Sequence, residues 1–101
     1  MVTKKKQYVI VRSYDAGAFA GELKEHDRVT RHAVLANARR LWYWSGAASL
    51  SELSQKGVSN PNGCKFPAEV PEQLIANVIE VIPCTEAARE SIAKVPLWTK
   101  H

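Results

Sequence analysis

Much that would mark a specialised class of protein is missing from these 101 residues. Only two cysteines occur, Cys64 and Cys84, far apart and without a CxxC pair. That usage sets up neither a zinc framework nor a disulfide lattice. Free thiols in a reducing cytoplasm are the expectation, with a Cys64–Cys84 bridge left geometrically open. His26, His32 and His101 lack ligand spacing with either cysteine, so no metal is expected. No apolar stretch approaches membrane-spanning length, and the basic start Met1–Lys6 runs into an alternating segment, unlike a secretory signal. There is no GK[ST] motif and no Rossmann glycine spacing. Nor is there a nucleophile elbow or a carboxylate pair framed by apolar sequence, so catalysis is not expected and no cofactor is implied. Repeats and low-complexity linkers are absent too. Residues 1–6 read as a basic end and residues 7–101 as one domain.

What is present is unevenly spread. The net charge is +4. Up to Trp44 nine cations face four anions, a balance of +5; from Ser45 onward five cations meet six anions, a balance of −1. A positive half favours an anionic partner through long-range attraction, and it also serves solubility.

The pattern of residues predicts an α+β fold: a small antiparallel sheet of about five strands with two short helices. Gln7–Ser13 is rich in β-branched residues and reads as a first strand. Tyr14–Gly17 is a turn, and Phe19–Glu25 alternates as a second, antiparallel strand. Residues from Val29 to Trp44 fit either a helix or strands interrupted near Ala36–Asn37. The aromatic run favours strands. Ser49 as N-cap and Gly57 as C′ residue bracket a helix over Ser49–Lys56. Asn62–Gly63 reads as a hairpin-type turn, and Cys64–Pro67 as a short edge strand. Leu74–Ile82, the most apolar run, is expected to be one core strand burying Ile75, Val81 and Ile82, with Val78 or Ile79. Thr85 caps a last helix, Glu86–Lys94, and Trp98 is expected to plug the core edge.

The stretch Asn37–Glu52 concentrates the chemistry. Arg39 and Arg40 precede Trp42, Tyr43 and Trp44, and a run of small residues, Ser45–Ala48, leads into the capped helix. Guanidinium groups fork onto phosphate and flat rings stack on bases. A turn of small residues before a helix can offer free backbone N–H groups to an anion. The candidate ligand-binding residues are therefore Arg39, Arg40, Trp42, Tyr43, Trp44, Ser45 and Gly46, with Lys65 as an outlier. The competing reading is that the tryptophans fill the core, the arginines are solvated and the small residues merely pack tightly.

Arg39–Leu53, Cys64–Phe66 and Glu80–Glu86 together resemble small proteins encoded by tailed bacteriophages and prophages. The resemblance implies an accessory protein of the host-cell cytoplasm. Some proteins of that kind are sponges that bind nucleotide immune signals, of cyclic oligonucleotide or ADP-ribose type, without cleaving them. The expectation is thus sequestration of a small anionic nucleotide ligand, with a homodimer or higher homo-oligomer helping to enclose it. A single-stranded nucleic-acid-binding module, or an inhibitor docking on a host protein through the same rings, is the alternative.

Overall fold

The computed structural model describes residues 7–99. The basic end at residues 1–6 and His101 lie outside them. Five strands form one antiparallel sheet: β1 (Tyr8–Ser13), β2 (Gly17–Asp27), β3 (His32–Arg40), β4 (Val70–Ile75) and β5 (Val78–Pro83), in the order β4-β3-β2-β1-β5. Two helices, α1 (Leu50–Lys56) and α2 (Glu86–Ala93), complete an α+β fold.

Strand β1, between β2 and the edge strand β5, shows why the sheet takes its shape. Val9, Ile10 and Val11 are all fully buried, so this part of β1 is covered on both faces. Ile10 packs with Leu53, Phe66 and Ile92 under the helices. Val9 and Val11 pack with Phe19, Leu35, Ile75 and Val78 on the other side. Among the described residues no helix packs on that second side; the sheet covers it by curling on itself. β4 and β5 lie at opposite edges yet are joined only by Ala76 and Asn77. That connector bridges the open end of the curl. Tyr14 N–H donates to the Asn77 carbonyl at 3.0 Å, Val78 N–H to the Arg31 carbonyl at 2.9 Å, and Ser13 Oγ to the Ala76 carbonyl at 2.7 Å.

The curvature has local causes. Register shifts in the β2–β3 pairing leave Asn37 of β3 with left-handed backbone (φ 51°), which asparagine tolerates. This bulge stands where the sequence predicted an interruption near Ala36–Asn37. Gly21 of β2 faces it: a Cβ there would lie 3.0 Å from the Ala36 carbonyl oxygen and 3.2 Å from Ala38 Cα. Leu74–Ile82, expected to be one strand, is split. Asn77 adopts φ 52° and divides it between the two edges. A continuous strand could not serve both edges of a curled sheet. A shift in the β1–β5 register leaves Ile79 as an extra residue, and it turns out to solvent instead of joining the core.

Both helix starts match expectation. Ser49 Oγ accepts from Glu52 N–H at 3.2 Å, and Thr85 Oγ1 from Ala88 N–H at 3.1 Å. Gly57, at φ 75°, closes α1 against α2, where a Cβ would lie 2.2 Å from Ser91 Cβ. Two local expectations change, and the expectation of free thiols holds. Pro61–Gly63 forms a 3-10 turn, because no hairpin partner flanks it. Cys64–Pro67 contributes only isolated bridges, Tyr43 with Lys65 and Phe66 with Leu97. Both cysteines are free.

Arg39 ties these parts together. It is buried, and its guanidinium donates to five backbone carbonyls: Pro67 (3.0 Å), Phe66 (3.0 Å), Ile92 (2.9 Å), Val95 (2.9 Å) and Pro96 (3.4 Å). Arg39→Ala removes every one of these donors; the Phe66 and Ile92 carbonyls keep Trp98 N–H (3.1 Å) and Val95 N–H (3.2 Å), but the buried Val95 carbonyl and those of Pro67 and Pro96 lose the guanidinium. The expected loss is about 3 kcal/mol or more, read from urea unfolding. Arg39→Lys recovers only part of it, since an ammonium cannot reproduce the planar fork.

Candidate ligand groove

The candidate residues from the sequence do not form one site. β3 ends at Arg40, and Leu41–Trp44 runs on as irregular chain held by Leu41 N–H on the Ala18 carbonyl and the Tyr43–Lys65 bridge. Arg39 is taken up internally, so the phosphate-fork role expected of it does not fit. Its pKa is lowered by burial. Arg40 lies on the opposite face of the strand, where its guanidinium sits 4.5 Å over the Phe19 ring and donates to the Ala16 carbonyl at 2.7 Å. It braces the β1–β2 turn and lines a separate recess with Val70 and Glu72.

The turn of small residues is also filled from within. At Gly46 (φ 92°) a Cβ would lie 2.5 Å from Ser59 Oγ and 2.6 Å from Asn60 N. Ser59 N–H donates to the Gly46 carbonyl, Asn60 Nδ2 to Ser45 Oγ, and Ser45 N–H meets Cys64 Sγ. Ser45 and Gly46 therefore pack against the 59–60 loop.

The three rings separate as side chains alternate along the segment. Tyr43 looks away from the groove described next. Lys65 Nζ stands 5.9 Å from its ring and 5.6 Å from the ring of Trp98, so Lys65 and Tyr43 form their own cluster beside the C-terminal segment. Trp42 and Trp44 instead line a groove of about 380 Å³ with Arg12, Tyr14, Leu50 and Ile79. Trp44 is half-buried against the core under the helices. Tyr14, Trp42 and Ile79 are 81%, 63% and 50% exposed. Three large apolar side chains thus converge, uncovered, on one opening. Arg12 sits among them and pairs with Glu80 at 3.3 Å.

Tyr14, Arg12 and Ile79 were not singled out from the sequence. Tyr14 lies in a turn that carried no ligand signal, and Ile79 read as core. Only the bulge in β5 and the curl of the sheet bring them beside Trp42. Among the described residues no group of three or more His, Cys, Asp and Glu side chains is placed to hold a metal ion. No helix among them is long and apolar enough to cross a membrane.

A family model described as a domain of unknown function, DUF6948, matches residues 6–92. The chain belongs to that family. No curated protein and no solved structure matches it. Within the DUF6948 match lie all the elements that build the groove, from β1 through Ile79.

Two titrating groups of this DUF6948 chain sit in the helix-side core. Burial pushes the Tyr8 hydroxyl up to about 12 and the Cys84 thiol up to about 11. Both groups are neutral when protonated. A raised pKa in the folded state therefore adds stability at neutral pH that is lost as pH rises through the unfolded values toward the folded ones. Urea midpoints are expected to hold to about pH 9 and to fall from there to pH 12. Cys84→Ala removes the earlier part of that fall.

The groove yields a separate contrast. Trp42→Ala should change stability by less than about 0.5 kcal/mol, as an exposed site does. Trp44→Ala should cost about 2 kcal/mol through lost apolar burial. Paired unfolding curves check both.

Proposed function

We propose that this chain is a non-catalytic binding module that holds a nucleobase-bearing anion against the rings of Trp42, Trp44 and Tyr14. One observation carries the reading: exposed aromatic side chains from the β1–β2 turn and from the segment after β3 face a common groove that also contains a guanidinium, Arg12. Stacking on such rings contributes about 1–3 kcal/mol per base. The groove's volume falls within the range of small-ligand sites. Sequestration of a nucleotide immune signal in the host-cell cytoplasm, as the phage resemblance implies, is the biological form this takes. The phosphate contacts fall to Arg31 in the adjoining recess, in place of Arg39 and Arg40, while Arg12 stays beside the rings in its pair with Glu80. A homo-oligomer would close the groove's open side.

The second reading, docking onto a host protein, is favoured by the same exposure. Apolar rings left uncovered around Ile79 resemble the anchors of a protein interface.

A thermal-shift panel of cyclic dinucleotides and ADP-ribose derivatives separates the two. A ligand at about 100 times its Kd stabilises the native state by about 2.7 kcal/mol and raises the midpoint. Trp42→Ala, which leaves the fold intact, should abolish that shift. A panel in which no compound moves the midpoint rejects nucleotide binding and leaves the protein-docking reading.

A further inference from the structure

The groove does not end at Tyr14. Tyr14 and Ile79 also line a second recess, of about 410 Å³, with Arg31 and Asn77. Arg31 and Ile79 line a third, of about 360 Å³, with His26 and Arg28. Neighbouring recesses share lining residues, Tyr14 and Ile79 between the first two and Arg31 and Ile79 between the second and third, which joins them into one track. Rings stand at one end and cations at the other, with Ile79 common to all.

The charges along this track are not balanced against each other. Its carboxylates are engaged: Glu80 by Arg12, Asp15 by the Asn77 amide, and Asp27 in the adjacent turn by the N–H groups of Val29 and Thr30. Those two backbone donors hold the Asp27 carboxyl below its usual range. Arg28 and Arg31 are exposed and, among the described residues, form no ion pair and no side-chain hydrogen bond. Two uncommitted guanidiniums beyond a run of rings complement a chain that presents bases first and phosphates further on.

We infer that the track binds a short single strand of nucleic acid, with bases stacked in the Trp42–Tyr14 groove and successive phosphates reaching Arg31 and Arg28. This deepens the nucleotide-binding reading and rests on it. Stacking supplies affinity without sequence preference, and the arginines supply the salt-dependent part.

The test uses the whole chain and a fluorescently labelled oligothymidylate of about 10 nucleotides, followed by anisotropy from about 50 to about 200 mM salt. Mononucleotide and polyglutamate serve as comparison ligands. The expected result is oligomer binding that weakens with salt. Arg28→Gln/Arg31→Gln should weaken it about tenfold at low salt and flatten the salt slope by about 1.4, since each phosphate contact on a single strand contributes about 0.7. Glutamine keeps most of the stem, and among the described residues neither native side chain makes an ion pair or a side-chain hydrogen bond; circular dichroism confirms the variant is folded. Trp42→Ala should weaken oligomer and mononucleotide alike, while the arginine pair affects the oligomer far more. If the oligomer binds no better than the mononucleotide, the strand inference fails and the nucleotide reading stands. Equal binding of polyglutamate also overturns the inference, because the track then reads charge and not bases. If neither oligomer nor mononucleotide binds, both readings fall.

Discussion

A buried guanidinium holds this fold to its shape. Taking an arginine out of water costs several kcal/mol, and Arg39 recovers it only because carbonyls from two separate segments converge on its planar donors. Phe66 and Pro67 belong to the chain entering β4; Ile92, Val95 and Pro96 belong to the end of α2 and the segment after it. The last carbonyls of a helix have no partner within it, and a cation placed there also meets the negative end of the helix dipole. One side chain on β3 therefore closes α2, fixes the approach to β4 and lays the C-terminal segment beside Phe66, over whose ring the guanidinium sits at 5.5 Å. These elements are remote in sequence, so the order they gain comes from this contact and not from local propensity.

With the helix side secured, the other side of the sheet has to bury Val9, Val11 and Phe19 without a helix. Curling does this, and curling requires bulges and a short bridge between the edge strands. Each device has a cost in regularity. Asn37 and Asn77 sit in left-handed backbone, and Ile79 is expelled from the β1–β5 ladder. The same irregularities build the groove: the bridge brings Asn77 to Tyr14, and the expelled Ile79 forms the floor shared by three recesses. The candidate site is thus a product of how the second core is closed.

This explains what could be read from the sequence and what could not. Local signals were legible because their causes are local. Ser49, Gly57 and Thr85 mark helix ends through backbone geometry within a few residues. The first hairpin follows from β-branched residues around a turn closed by Gly17 at φ 90°. The α+β class follows from those pieces. The division of Leu74–Ile82 was hidden, because an apolar run looks the same as one buried strand or as two edge strands, and only the curl distinguishes them. Arg39 and Arg40 misled for a related reason. Adjacent arginines beside aromatics suggest an exposed anion site, yet alternation sends one to each face of β3, and both faces here are interior or half-interior. A strand with no solvent face turns charged residues into structural donors.

The site that emerges has separated functions. Its rings come from chain that has left the regular strands, Tyr14 in a turn and Trp42 and Trp44 after β3, whereas the arginines that the sequence placed beside those rings are spent on stability. The cations left for a ligand, Arg28 and Arg31, belong to the β2–β3 turn, where the backbone is fixed by Asp27 and by the Arg31 carbonyl's bond to Val78. Turn-borne side chains on a braced backbone can reorient without disturbing either core. On the proposed reading, recognition depends on an aromatic wall and adaptable charges set along a track. Such a surface discriminates by the length and composition of what lies on it more than by enclosing a single small shape.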